Sequence, residues 1–121
     1  MTGGRGYIEE RPWGRFEILD DASEHFKVKL MTIRPGRRLS YQSHERRSEH
    51  WCVVRGTAEV TLDGEIHTVH LGESITVPLG AKHRCANPGD VDLVFVEVQL
   101  GDYFGEDDIV RYEDDYGRVD P

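Results

Sequence analysis

Gln42, His44, Glu49 and His83 are the residues whose types and spacing can do chemistry. Gln42 and His44 are two apart, so on an extended segment they point the same way. Glu49 follows five residues later, at the start of the next apolar run, and His83 arrives from a distant segment. Together they offer two imidazoles, a carboxylate and an amide oxygen, with no thiolate. That set suits Zn²⁺, Mn²⁺, Fe²⁺, Co²⁺ or Ni²⁺ with positions open for water or substrate, and it argues against a closed structural zinc site. Singly, each residue has a plainer reading: a satisfied core histidine, a polar strand residue, a solvated charge. His25, His50, His67 and His70 lack such companions and are read as non-ligands.

The elements that must position these donors are short strands. Segments rich in Val, Ile, Thr and Phe alternate with turn chemistry at Arg34-Pro35-Gly36, Asp63-Gly64, Leu79-Gly80 and Asn87-Pro88-Gly89. Strands are predicted over 14–19, 26–33, 50–55, 57–62, 65–71, 74–77, 83–86 and 93–99. Asp63-Gly64 is the strongest hairpin signal. Eight short strands with almost no helical periodicity predict an all-β, closed barrel or jelly roll, with alternate residues inward and a ligand site in its mouth. The tail after residue 100 is polar and acidic, with a helical turn expected around Glu106–Val110.

Composition narrows the function classes. The 121 residues suit one domain with a modest core: a barrel over roughly 11–100 and a short acidic C-terminal tail over 101–121. A net charge of −8 argues against nucleic acid as a partner, and the lack of a long apolar run argues against a membrane span. No secretory signal precedes Tyr7, and Cys52 and Cys85 form no CxxC pair, so a cytoplasmic protein with two reduced thiols is expected. Five arginines between Arg34 and Arg47 form a local basic patch in an acidic chain. Such a patch suits a small anion such as a phosphate.

Two glycine-framed motifs carry a resemblance. The first is Gly36-x5-Gln42-x-His44-x4-Glu49-x6-Gly56 and the second is Gly72-x5-Pro78-x-Gly80-x2-His83-x3-Asn87. They are similar to the paired signature of the cupin superfamily, with Gln42 where the commonest version has histidine. The resemblance implies a single-domain cupin barrel holding one divalent metal ion through Gln42, His44, Glu49 and His83. Zinc is the first expectation, with Mn, Co, Fe or Ni as alternatives.

Longer phrases narrow it further. Leu39-Ser-Tyr-Gln-Ser-His-Glu-Arg-Arg-Ser-Glu-His-Trp51, Val77-Pro-Leu-Gly-Ala-Lys-His83 and Tyr103-Phe-Gly-Glu-Asp-Asp-Ile-Val-Arg111 resemble the type II mannose-6-phosphate isomerase domain, as do Arg11-Pro-Trp-Gly14 and Lys27-Val-Lys29. In that family the domain usually follows a mannose-1-phosphate guanylyltransferase part. This sequence carries no nucleotide-binding glycine-rich segment, so that activity is not carried over. The family often has histidine where this chain has Glu45 and Arg46. The type I isomerases, unrelated in sequence, also hold zinc with a Gln, a Glu and two His, so Gln42 looks purposeful.

The resemblance implies interconversion of mannose 6-phosphate and fructose 6-phosphate through an enediol. Arg47, two before Glu49, is expected to share its inward face and stabilise charge or touch substrate. Lys29 shares a face with Lys27, Met31 and Ile33, and serves acid–base work or phosphate binding. Glu97, on one face with Gln99, is the candidate base. Lys27, Arg84, Gln99 and Arg111 are substrate-binding candidates, Arg84 and Arg111 for the phosphate. A non-catalytic sugar-binding or regulatory cupin is the alternative. A metal-dependent cupin dioxygenase comes third, because three histidines with one glutamate are commoner there. Open strand edges predict a homodimer.

Overall fold

A computed structural model describes residues 4–118 of the chain. Its regular structure is all strand: β1 (Ile8–Arg11), β2 (Gly14–Asp20), β3 (Phe26–Ile33), β4 (Tyr41–Ser43), β5 (Arg47–Arg55), β6 (Ala58–Leu62), β7 (Glu65–Val69), β8 (Ser74–Val77), β9 (His83–Ala86), β10 (Leu93–Gly101) and β11 (Val110–Glu113). Two antiparallel sheets result, ordered β1-β2-β3-β10-β5-β8 and β11-β4-β9-β6-β7. They enclose one core, to which Ile33, Trp51, Val53 and Phe95 come from the first sheet and Ala58, Val60, Val69 and Cys85 from the second. This is the jelly roll that the sequence predicts. No helix among the described residues is long and apolar enough to cross a membrane.

Strict alternation makes the three central strands of the larger sheet. In β3, Lys27, Lys29, Met31 and Ile33 are buried while Phe26, Val28, Leu30 and Thr32 are not. In β10, Leu93, Phe95, Glu97 and Gln99 point inward, and in β5, Arg47, Glu49, Trp51 and Val53 do so. Register aligns these residues in layers across the sheet. Met31, Phe95 and Val53 form one layer, Lys29, Glu97 and Trp51 the next, and Lys27, Gln99 and Glu49 the one after. The interior therefore runs from an apolar end to a polar end along these three strands.

The outward faces of β3 and β10 read Phe26, Val28, Leu30, Thr32 and Val94, Val96, Val98, Leu100. They carry no charge, and each residue keeps some solvent exposure.

Turn chemistry behaves as expected at Asp63-Gly64, where both residues have positive φ, 47° and 85°. That geometry fits a two-residue turn whose twist matches the strands, and Leu62 pairs with Glu65 across it. Gly14 is needed for a different reason. A Cβ there would lie 1.9 Å from the carbonyl oxygen of Thr32, on the neighbouring strand.

Sequence and structure part at the ends. β1, β4 and β11 are strands that the sequence reading did not anticipate, and β5 starts at Arg47 rather than His50. The helical turn expected around Glu106–Val110 does not form. A single turn, closed by the Asp108 N–H donating to the Gly105 carbonyl at 3.2 Å, leads instead into β11, which pairs with β4. The tail is held because its polar groups find partners on the barrel: the Asp108 carboxylate accepts from the amides of Glu45 (3.1 Å) and Arg46 (3.0 Å).

Candidate metal centre

β4, β5 and β9 bring the donors together. Gln42 and His83 are register partners across β4 and β9, so their side chains leave the same face. His44 follows β4 directly, and Glu49 is the third residue of β5. One atom each from His44, Glu49 and His83 lie within 4.8 Å of one another, and all three residues are buried. Bonds of about 2.0–2.2 Å to a shared ion would close that separation with little movement.

Hydrogen bonding sets each donor for a cation. The His44 Nδ1–H donates to the Asp108 carbonyl (2.6 Å), and the His83 Nδ1–H to the Ala81 carbonyl (3.0 Å). Both assignments make Nε2 the unprotonated nitrogen; that of His44 accepts from Arg47 Nη2 at 3.3 Å, a contact that a ligated ion would replace. Gln42 donates from Nε2 to Ser40 Oγ at 2.9 Å and to the Ser40 carbonyl at 3.3 Å, which leaves its Oε1 on offer. Glu49 accepts from Trp51 Nε1 on Oε1 (2.9 Å) and from Arg47 Nε on Oε2 (2.9 Å). The donors fit one divalent ion of borderline softness.

Charge states agree. Burial pushes His44 down to about 4, so its imidazole is neutral at neutral pH. Burial opposes ionisation of Glu49, but Arg47, His83 and His44 outweigh it and hold the carboxyl well below the usual range. Glu97 behaves oppositely. Burial, then the charge of Glu49, lift it to about 8.

The donors open into a cavity of about 680 Å³, its mouth included. Five cationic side chains line it, Arg11, Lys29, Arg47, Arg111 and Arg118, against the carboxylates of Glu49, Glu97 and Glu106. Such a lining, in a chain of charge −8, suits a small anion.

Of the residues predicted from sequence, Lys29, Arg47, Glu97 and Arg111 line this cavity together with the four metal candidates. Lys29 Nζ is 2.5 Å from Glu106 Oε1, and Arg47 Nη1 is 3.6 Å from Glu106 Oε2 without a hydrogen bond. Lys27 and Gln99 are buried and face inward as a register pair, outside the lining. Gln99 Nε2 donates to Glu97 Oε2 at 2.7 Å. Arg84 lies elsewhere. It donates from Nε to the Leu39 carbonyl (3.0 Å) and from Nη1 to Glu113 (3.1 Å), which ties β11 to the barrel.

Glu106, Asp108, Arg11 and Arg118 escaped the sequence reading. Glu106 and Asp108 belong to an acidic run that looks solvated, and the pairing of the following strand, β11, with β4 brings it to the mouth. The legible signals were the phrases Arg11–Gly14 and Tyr103–Arg111.

Comparison with known proteins places these features. The family model described as mannose-6-phosphate isomerase C-terminal matches residues 7–114. The chain is 51% identical over 109 residues to the mannose-1-phosphate guanylyltransferase ManC of Salmonella typhimurium, and 49% identical over 109 residues to the alginate biosynthesis protein AlgA of Pseudomonas aeruginosa. Each match covers 90% of this chain, which spans 22% of the length of either relative. Among solved structures, an RmlC-like cupin from Shewanella frigidimarina superposes with a TM-score of 0.71 at 22% identity, covering 84% of this chain and 87% of that one. This last likeness shows the cupin fold alone.

Proposed function

The chain belongs to the mannose-6-phosphate isomerase C-terminal family, and from that premise we propose that it is a metal-dependent isomerase of mannose 6-phosphate and fructose 6-phosphate. One observation carries the reading: a preset two-imidazole, carboxylate and amide donor group opens into a positively lined cavity of an acidic protein.

Gln42, His44, Glu49 and His83 would hold the ion, which would supply Lewis-acid polarisation of the substrate carbonyl. The chain's own residues do the rest. Glu97 takes the proton from C2 and returns it to C1. Lys29 lies in the same register layer as Glu97 and offsets negative charge that develops on the sugar oxygens. Arg47 has a buried Nη1 donor without a hydrogen-bond partner, which suits it to a substrate oxygen. Trp51 supports Glu49 from the apolar side. The unbridged Cys52 and Cys85 suit a reducing compartment such as the cytoplasm. The names of relatives such as AlgA suggest a role in supplying polysaccharide synthesis.

A non-catalytic sugar-phosphate-binding domain is the second reading. A coupled assay on mannose 6-phosphate, after metal removal and after adding back Zn²⁺, Mn²⁺, Co²⁺ or Fe²⁺, separates the two. Metal-restored fructose 6-phosphate formation, lost in His83→Ala, is the expected result. Stoichiometric metal binding without turnover would leave the second reading.

A further inference from the structure

Building on the sugar-phosphate reading, we infer that the cleft between edge strands β1 and β11 is the phosphate-binding end of the cavity, with Arg11, Arg111 and Arg118 as its donors. β1 closes one edge of the larger sheet and β11 one edge of the smaller. The two edges are not hydrogen-bonded to each other, and the cavity lining takes residues from both. Arg11 ends β1, Arg111 lies on β11, and Arg118 follows it. Three guanidinium groups from opposite ends of the chain thus meet in one lining.

Their carboxylate partners stand behind them. Arg11 pairs with Glu9 and lies 5.7 Å from the centre of the Phe16 ring. Arg118 donates from Nε and Nη2 to the two oxygens of Asp114, at 2.8 and 3.3 Å, and lies 5.8 Å from the Tyr116 ring centre. Neither Glu9 nor Asp114 belongs to the cavity lining. The two-point pairing with Asp114 fixes the plane of the Arg118 guanidinium, while Glu9 engages Arg11 through Nη2 alone; both leave Nη1 N–H groups for a tetrahedral oxyanion. Phe16 marks the path inward, because its ring also carries Lys29 Nζ at 4.3 Å. Beyond Lys29, in the same lining, lie Arg47 and the metal donors. A phosphate at the edge cleft therefore places the other end of a short sugar chain among the donors.

Titration of the full-length, metal-loaded protein with mannose 6-phosphate, mannose and inorganic phosphate, followed by calorimetry, tests this. Arg11→Gln and Arg118→Gln should each weaken mannose 6-phosphate and inorganic phosphate binding by about tenfold or more, with metal stoichiometry and mannose binding unchanged. Unchanged phosphate affinity in the double variant would overturn the assignment. Should a variant misfold, phenylglyoxal labelling of the unaltered protein gives the same answer. Phosphate should protect Arg11 and Arg118 but not the exposed Arg34 and Arg37, and equal labelling with and without phosphate would count against the cleft. Neither measurement needs turnover. Loss of the isomerase reading with arginine-dependent binding intact would leave this inference standing.

Discussion

Ser40 shows how far a single hydroxyl reaches. It accepts from Gln42 Nε2 and so decides which amide atom faces His44 and His83. Ser40→Ala should lower metal affinity by about tenfold with little effect on folding, as read by competition with a chromogenic chelator. His44 and Glu97 make the pH dependence of the metal-free protein two-sided. His44 is depressed from 6.5 to about 4, so its contribution to stability is present above pH 6.5 and is lost as pH falls through 4. Glu97 is raised from 4.5 to about 8, so its contribution is present below 4.5 and is lost as pH rises through 8. Denaturant unfolding of the metal-free protein should therefore show stability declining from pH 6.5 toward 8. Glu97→Gln should remove that alkaline decline. A variant that declines as steeply as the parent would refute the assignment.

Elements differ in how plainly they were written. β3, β8 and β9 were legible to the residue because alternation and bounding turns agree. β4 is only three residues long and β1 and β11 only four, too short for a period-two signal to emerge. β5 begins three residues before the predicted strand at His50, and Arg47 and Glu49 share the inward face expected of them, with Arg47 Nε 2.9 Å from Glu49 Oε2. The buried cluster of His44, Glu49 and His83 was legible from types and spacing, whereas the tail's share of the cavity depended on a strand pairing that no local pattern announces. Gly14 belongs to this scale too. Its missing Cβ lets β2 pass against the Thr32 carbonyl, so Gly14→Ala should destabilise the protein by about 2–4 kcal/mol, measurable by chemical denaturation. A change under about 0.5 kcal/mol would show that the strands can separate there at no cost.

At the scale of the molecule, the expected homodimer is a proposal with a surface to match. The uncharged outer face of β3 and β10 suits a partner face that is itself apolar, and a second copy offers one through a twofold axis. Light scattering should give twice the chain mass, and Val96→Lys should halve it. A parent that scatters as a monomer would leave the face without a partner of its own kind.

The layered interior has a consequence for how the chain finds its fold. Alternation alone forbids a strand from slipping by one residue, because that would turn its inward set to solvent. It does not forbid a slip by two, which keeps every side chain on its proper side. The change from apolar to charged along β3, β10 and β5 does forbid it. A two-residue slip of β10 in one direction would carry Glu97 into the layer of Met31 and Val53. An unpartnered carboxyl there costs several kcal/mol. The buried charges thus act as a vernier, and the charged groups that line the cavity also proofread the strand alignment that builds it.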